Sequence, residues 1–126
     1  MLMLDTDVII DVQRKHPNAV AWFFGLTELP LLPGLVMMEL IQDAPDKRHV
    51  EQVQKLVRPL PLVWTTETDN HQALNWFMQF HLSHGLGLLD SLIGSCAVGR
   101  DAEFCTFNEK HYRVIPNLRT LQPYIR

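Results

Sequence analysis

Three acids in this chain stand where a carboxylate is hard to explain by solvent exposure. Asp5 ends the apolar run Met1–Leu4, Glu39 lies among Leu35, Val36, Met37, Met38, Leu40 and Ile41, and Asp90 opens a run containing Leu92, Ile93, Cys96 and Ala97. A helix apolar nearly all round is a buried helix, and a lone buried carboxylate is costly unless it is paired or bound to metal. Carboxylates without basic neighbours suit a hard divalent cation: Mg²⁺ takes oxygen ligands, keeps several waters and leaves room for phosphate. Such an ion activates water and stabilises the leaving oxygen in phosphodiester cleavage without a protein nucleophile.

Each acid also has a structural reading. Glu39 on a narrow solvent stripe, or paired with an arginine, accounts for its position as well as a metal does. Asp5 and Asp90 each sit where an N-cap or an early-turn acid is favoured by the helix dipole. Their convergence favours chemistry, and it depends on the elements that carry them.

Met1–Leu4 reads as a buried strand, followed by a helix over Val8–Arg14 capped by Thr6 or Asp7. Pro17 suits the first turn of a second helix carrying Val20, Phe23 and Phe24. Leu29–Leu32 reads as strand, Leu35–Gln42 and Lys47–Val57 as helices, and Leu60–Thr65 as strand. A long helix follows over Glu67–His84, with Ala73, Phe77 and Phe80 at helical spacing and Gly85 as its stop. Leu89–Val98 is a further helix and Ala102–Thr106 a fourth strand; the tail with Pro116 and Pro123 holds a helical turn and a fifth short strand. Short strands alternating with helices imply an α/β fold with a short, mostly parallel central sheet flanked by helices. Ligands in such folds bind beyond the carboxyl ends of the strands. Asp5, Glu39, Asp90 and Asn108 all fall at that end.

The 126 residues fit a single domain over 1–126. A net charge of −3 is unlike that of a typical nucleic-acid binder, so a chain acting on RNA needs a metal ion or a basic partner to supply local positive charge. Cys96 and Cys105 read as small buried hydrophobes, which makes a reducing cytoplasm the simplest compartment. No signal peptide is visible, and the apolar stretch Leu29–Ile41 is too short and too interrupted by Pro30, Pro33 and Gly34 to span a membrane.

Four segments in order resemble the PIN-domain family, especially its VapC-type toxins. They are Met3-Leu4-Asp5-Thr6-Asp7, Val36-Met37-Met38-Glu39-Leu40, Leu89-Asp90-Ser91-Leu92-Ile93 and Thr106-Phe107-Asn108-Glu109-Lys110-His111-Tyr112. The resemblance implies a three-layer PIN-like fold and a ribonuclease in which Asp5, Glu39 and Asp90 coordinate Mg²⁺ or Mn²⁺. Asn108 would complete the catalytic set, and Thr6 and Thr106 would support it by hydrogen bonds. It also implies an RNA substrate, a homodimer and a cognate antitoxin. Two departures bear on the metal count: Asn108 stands where many members have Asp, and His111 where an acid is frequent. Glu109 is a candidate to compensate. Asp7 is expected to cap the first helix, and Asp11 to support the metal ligands from behind or to be solvated.

Other features are weaker. His81 and His84 share a helix face with no further ligand placed to complete a metal site. Trp22, Trp64 and Trp76 could stack on bases, although packing is the commoner role. Arg14-Lys15-His16 and Lys47-Arg48-His49 could flank an RNA groove or simply be solvated helix ends. Two alternatives stand beside the ribonuclease. One is a catalytically weak PIN-like module that binds a protein partner. The other is a haloacid-dehalogenase-like phosphatase, suggested by Asp5-Thr6-Asp7, although the chain is short for that family and Lys110 is followed by no acidic pair.

Overall fold

The computed structural model describes residues 1–126. Strand β1 (Leu2–Leu4) leads into α1 (Thr6–Gln13) and α2 (Pro17–Phe24). Then come β2 (Leu32–Pro33), α3 (Gly34–Asp43), α4 (Lys47–Val57), β3 (Leu62–Val63), α5 (Glu67–His84) and α6 (Leu88–Gly99). The chain finishes with β4 (Glu103–Cys105), α7 (Glu109–Tyr112) and β5 (Arg119–Leu121). The α/β fold with short parallel strands matches the sequence reading.

β4 lies between β1 and β5, and all three run parallel, with Leu4 opposite Cys105 and Cys105 opposite Leu121. β2 pairs with β3, also in parallel. A bridge from Met3 to Leu31 sets this second pair against the free edge of β1. Across the molecule the strands therefore run β3, β2, β1, β4, β5. The chain walks outward from β1 in one direction and resumes on its other side at β4. The crevice beyond the carboxyl ends of β1 and β4 is thus the switch point where open α/β folds bind ligands.

Met3, Leu4, Phe104 and Cys105 are fully buried, as expected of adjacent parallel strands covered by helices on both faces. Each such side chain contributes roughly 1.5–3 kcal/mol relative to exposure. At the end of α5, Gly85 adopts φ 71° and its N–H closes the helix onto the carbonyl of His81. A left-handed C-terminal residue of this kind favours glycine.

Several boundaries differ from expectation. The second strand begins at Leu32 rather than Leu29, whose side chain is exposed, and the third keeps only Leu62 and Val63 of the predicted run. On α5 it is Trp76, not Phe77, that joins Ala73 in the core; Phe77 lines a surface groove with Leu74 and Leu88. α3 is not buried all round, because Met38 and Ile41 face solvent. No helix is long and apolar enough to cross a membrane.

Candidate active site

Parallel pairing of β1 with β4 brings Asp5 and Thr106 out of the sheet side by side. The Asp5 N–H donates to the carbonyl of Cys105 at 3.0 Å, so the ladder extends one residue beyond the strand. Asp5 keeps extended backbone angles and is itself the N-cap of α1, with its Oδ1 accepting from the Thr6 N–H at 2.8 Å. Of the caps that the sequence offers, Asp5 is the one used, in place of Thr6 or Asp7. The Thr106 hydroxyl donates to Asp5 Oδ2 at 2.7 Å and accepts from the Asn108 N–H at 3.0 Å. One turn of backbone after β4 is thereby locked to the acid that ends β1.

Glu39 reaches the same place from α3, where its Oε1 accepts a hydrogen bond from the Thr6 hydroxyl. Asp90 comes from the first turn of α6, and its Oδ1 accepts from the Tyr112 hydroxyl at 3.1 Å. Asp5, Thr6, Glu39, Asp90 and Asn108 all line one cavity of about 230 Å³. Thr106 lies behind it, buried, and acts through Asp5. Glu109 and His111 do not line the cavity and are exposed, so Glu109 does not make up for Asn108.

Asp7, Asp43 and Tyr112 also line the cavity and were not singled out as site residues. Asp43 follows Glu39 by four residues on α3, a spacing that puts two side chains on one helix face and was legible in sequence. Asp7 turns its Oδ2 to the Phe107 N–H at 2.9 Å instead of capping α1, and its Oδ1 is buried without a hydrogen-bond partner. Asp11 is neither in the site nor in solvent. It accepts from the Tyr124 hydroxyl at 2.8 Å and from the Arg126 guanidinium at 3.0 and 3.1 Å, so its role is to fasten the C-terminal tail.

The cavity is electrostatically uncompensated, since none of its lining residues is Lys, Arg or His. Burial, then the charge of Asp7 and to a lesser degree that of Glu39, pushes the Asp5 carboxyl up to about 7, against the hydrogen bonds from Thr106 and Thr6. Burial likewise raises Asp7, although the Phe107 N–H works against it. Burial and the charges of Asp5 and Asp90 raise the Tyr112 phenol far above its ordinary range, so it stays protonated and remains a donor to Asp90.

The donor set suits a hard divalent cation. Its donors are carboxylate oxygens with an amide beside them, no basic side chain competes, and the Asp7 Oδ1 lacks a partner. No three of these side chains stand close enough to enclose an ion unaided.

The family model described as PIN domain matches residues 2–115. No curated protein sequence matches the chain. Several solved structures share its fold. The toxin–antitoxin complex from Klebsiella pneumoniae aligns with a TM-score of 0.80 at 17% identity over 100% of both chains. VapBC2 from Rickettsia felis, bound to a DNA fragment from its promoter, gives 0.79 at 21% identity over 95% of this chain and 96% of its own. Mycobacterium tuberculosis VapC20, a sarcin–ricin-loop-cleaving toxin, gives 0.70 at 11% identity over 90% and 94%.

Proposed function

The chain belongs to the PIN-domain family, and on that footing we propose that it is a single-domain, Mg²⁺- or Mn²⁺-dependent endoribonuclease, the toxin of a toxin–antitoxin pair in the cytoplasm. The observation that carries the reading is the convergence of Asp5, Glu39 and Asp90 on one cavity without a cation. Structural acids are ordinarily paired with a base, and these are not. The relative described as cleaving the sarcin–ricin loop supports RNA as the substrate class.

Asp5, Glu39 and Asp90 would hold the metal, which when bound neutralises phosphate charge and makes water a better nucleophile. The rest of the work falls to the chain. Thr106 and the Thr6 N–H fix both oxygens of Asp5, and the Thr6 hydroxyl fixes Glu39. Tyr112 orients Asp90. Asn108, at the cavity mouth, offers an uncharged amide that can donate to a phosphate oxygen where an acid would repel it. Hydrolysis adds water across one P–O bond of the RNA, leaving one phosphate end and one hydroxyl end.

Partner surfaces support the toxin part of the reading. An apolar groove of about 690 Å³ between α1, α2 and α4, with Val12, Val20, Phe24 and Leu56 in its walls, suits an amphipathic segment of an antitoxin. Leu74, Met78 and Leu82 form an exposed stripe on α5 at four-residue spacing, which suits a second copy of the chain. A second reading, a binding module with little catalysis, is favoured by the neutral Asn108 and the open spacing of the acids.

Cleavage of a structured RNA by the wild type and by Asp5→Asn, in Mg²⁺ and in Mn²⁺, separates the two. The nuclease reading expects wild-type cleavage and its loss in a folded variant. Cleavage undiminished in Asp5→Asn removes the assignment.

A further inference from the structure

The acidic cavity poses a problem for its own substrate. Five acids line it, namely Asp5, Asp7, Glu39, Asp43 and Asp90, and no base does. A metal ion can neutralise the phosphate being cut, but the phosphates to either side meet only negative charge there. A strand held for reaction needs cations just outside.

A second groove, of about 310 Å³, opens directly from the cavity, sharing Ile10 and Asp43 with its wall. α1, α3 and α4 enclose it. Arg14 and His49 line it, with Gln13 and Gln52 as uncharged hydrogen-bonding neighbours. Arg14 is exposed and makes no ion pair, unlike Arg119 and Arg126, which are paired with Asp101 and Asp11. His49 is tied by Nδ1 to Asp46 at 2.7 Å, which leaves Nε2 for a ligand. Asp43 at the junction is the one acid in its wall; Asp46, next to Pro45, does not line it and is occupied as the N-cap of α4 and by His49.

α1 is the ruler between the two sites. Asp5 caps its amino end and Arg14 its carboxyl end. Nine residues of helix span about 14 Å, or roughly four nucleotides of a stacked strand at about 3.4 Å each. Asp5 is only 4% exposed, so the backbone must dip into the cavity to be cut, which an unpaired strand can do and a stiff duplex cannot.

Resting on the ribonuclease reading, we infer that this groove carries the single-stranded RNA substrate, with Arg14 gripping a phosphate a few nucleotides from the cut and His49, Gln13 and Gln52 lining its path. Arg14 is a binding residue here and takes no part in the bond-breaking step.

The test is fluorescence anisotropy of a labelled single-stranded RNA with the cleavage-silenced Asp90→Asn protein, with and without Arg14→Ala, titrated against KCl. Arg14→Ala should weaken binding about tenfold and lower the slope of log K against log salt by about 0.7, the value of one lost phosphate contact on a single strand. Arg14→Lys should keep most of the slope, because it keeps the charge. Lys55→Ala, an exposed cation of α4 outside the groove, should change neither. In the otherwise wild-type enzyme, Arg14→Ala should raise KM and leave kcat within about twofold. A wild type that cleaves RNA while Arg14→Ala keeps its affinity and salt slope overturns the groove assignment alone. A wild type that neither cleaves nor binds RNA overturns the ribonuclease reading and this inference with it.

Discussion

The Thr106 hydroxyl donates to Asp5 Oδ2 at 2.7 Å, joining two residues 101 positions apart. This bond holds an acid in place from the neighbouring parallel strand. Thr106→Val keeps the shape and removes the donor, leaving one oxygen of a nearly buried carboxylate without its partner. The expected cost is about 1–3 kcal/mol of stability, measured by urea unfolding. Because that hydrogen bond lowers the Asp5 pKa, its loss should also weaken Mn²⁺ binding at neutral pH. Thr106→Ser should restore both. Unchanged metal affinity in a folded Thr106→Val protein would show that the hydroxyl does not support the site.

The metal-free protein should lose stability as pH rises. Burial and the Asp7 charge raise Asp5 from 3.8 to about 7, so between those values the folded state holds a proton that the unfolded chain has released. The contribution is full below the unfolded pKa and disappears as pH passes the folded one. A shift of this size corresponds to about 4 kcal/mol. Asp7 acts in the same direction, whereas Asp11, held below its ordinary value, loses its contribution only in acid. The urea midpoint should therefore fall from pH 5 to pH 8, and Asp5→Asn should flatten the fall. An identical slope in the variant contradicts the assignment. Metal competes with the same proton, so Mn²⁺ affinity should rise over the same interval.

Asp5 was legible as the acid that ends an apolar strand, Glu39 as the lone acid inside an apolar helix, Asp90 as the acid that opens another, and Asn108 as the residue just beyond β4; all four line the one cavity. The helices α4 and α5 were legible from their spacing and caps. Other features depended on distant partners. Asp7 read as a helix cap until the chain placed the Phe107 N–H against it, 100 residues away. Asp11 read as a support behind the ligands or a solvated acid until Tyr124 and Arg126 folded back onto it. Trp76 displaced Phe77 from the core because α5 packs closely on α6, and the choice between adjacent aromatics depends on that packing.

Gly34, the first residue of α3, lies under the ring of Trp64. A Cβ there would stand 2.4 Å from the indole, so Gly34→Ala must push the ring away. Trp64 is half-exposed and able to swing outward. The expected result is a red-shifted, more quenchable Trp64 component, read in a Trp22→Phe background beside the constant emission of the buried Trp76, and a loss of about 1–3 kcal/mol. An unshifted spectrum with unaltered stability would contradict this packing.

The C-terminal clamp should be separable from catalysis. Arg126 pairs with Asp11 through two nitrogens and lies 4.6 Å above the Phe107 ring, while Tyr124 packs on the same ring. Arg126 is half-exposed, so solvent screens the pair and Arg126→Ala should cost only about 1 kcal/mol. Asp11→Ala strips both Tyr124 and Arg126 of their acceptor and should cost more. Limited proteolysis should then release the tail faster, and equal rates for all three proteins would argue against the clamp.

The central claim is that Asp5, Glu39 and Asp90 form a divalent-metal site for RNA hydrolysis. Calorimetric titration of Mg²⁺ and Mn²⁺ into the wild type and into Asp90→Asn, with an RNA cleavage assay on the same samples, tests it most directly. The account predicts binding and cleavage in the wild type and the loss of both in a folded Asp90→Asn protein. A wild type that binds neither ion and cleaves no RNA, or a variant that keeps both activities, would contradict it.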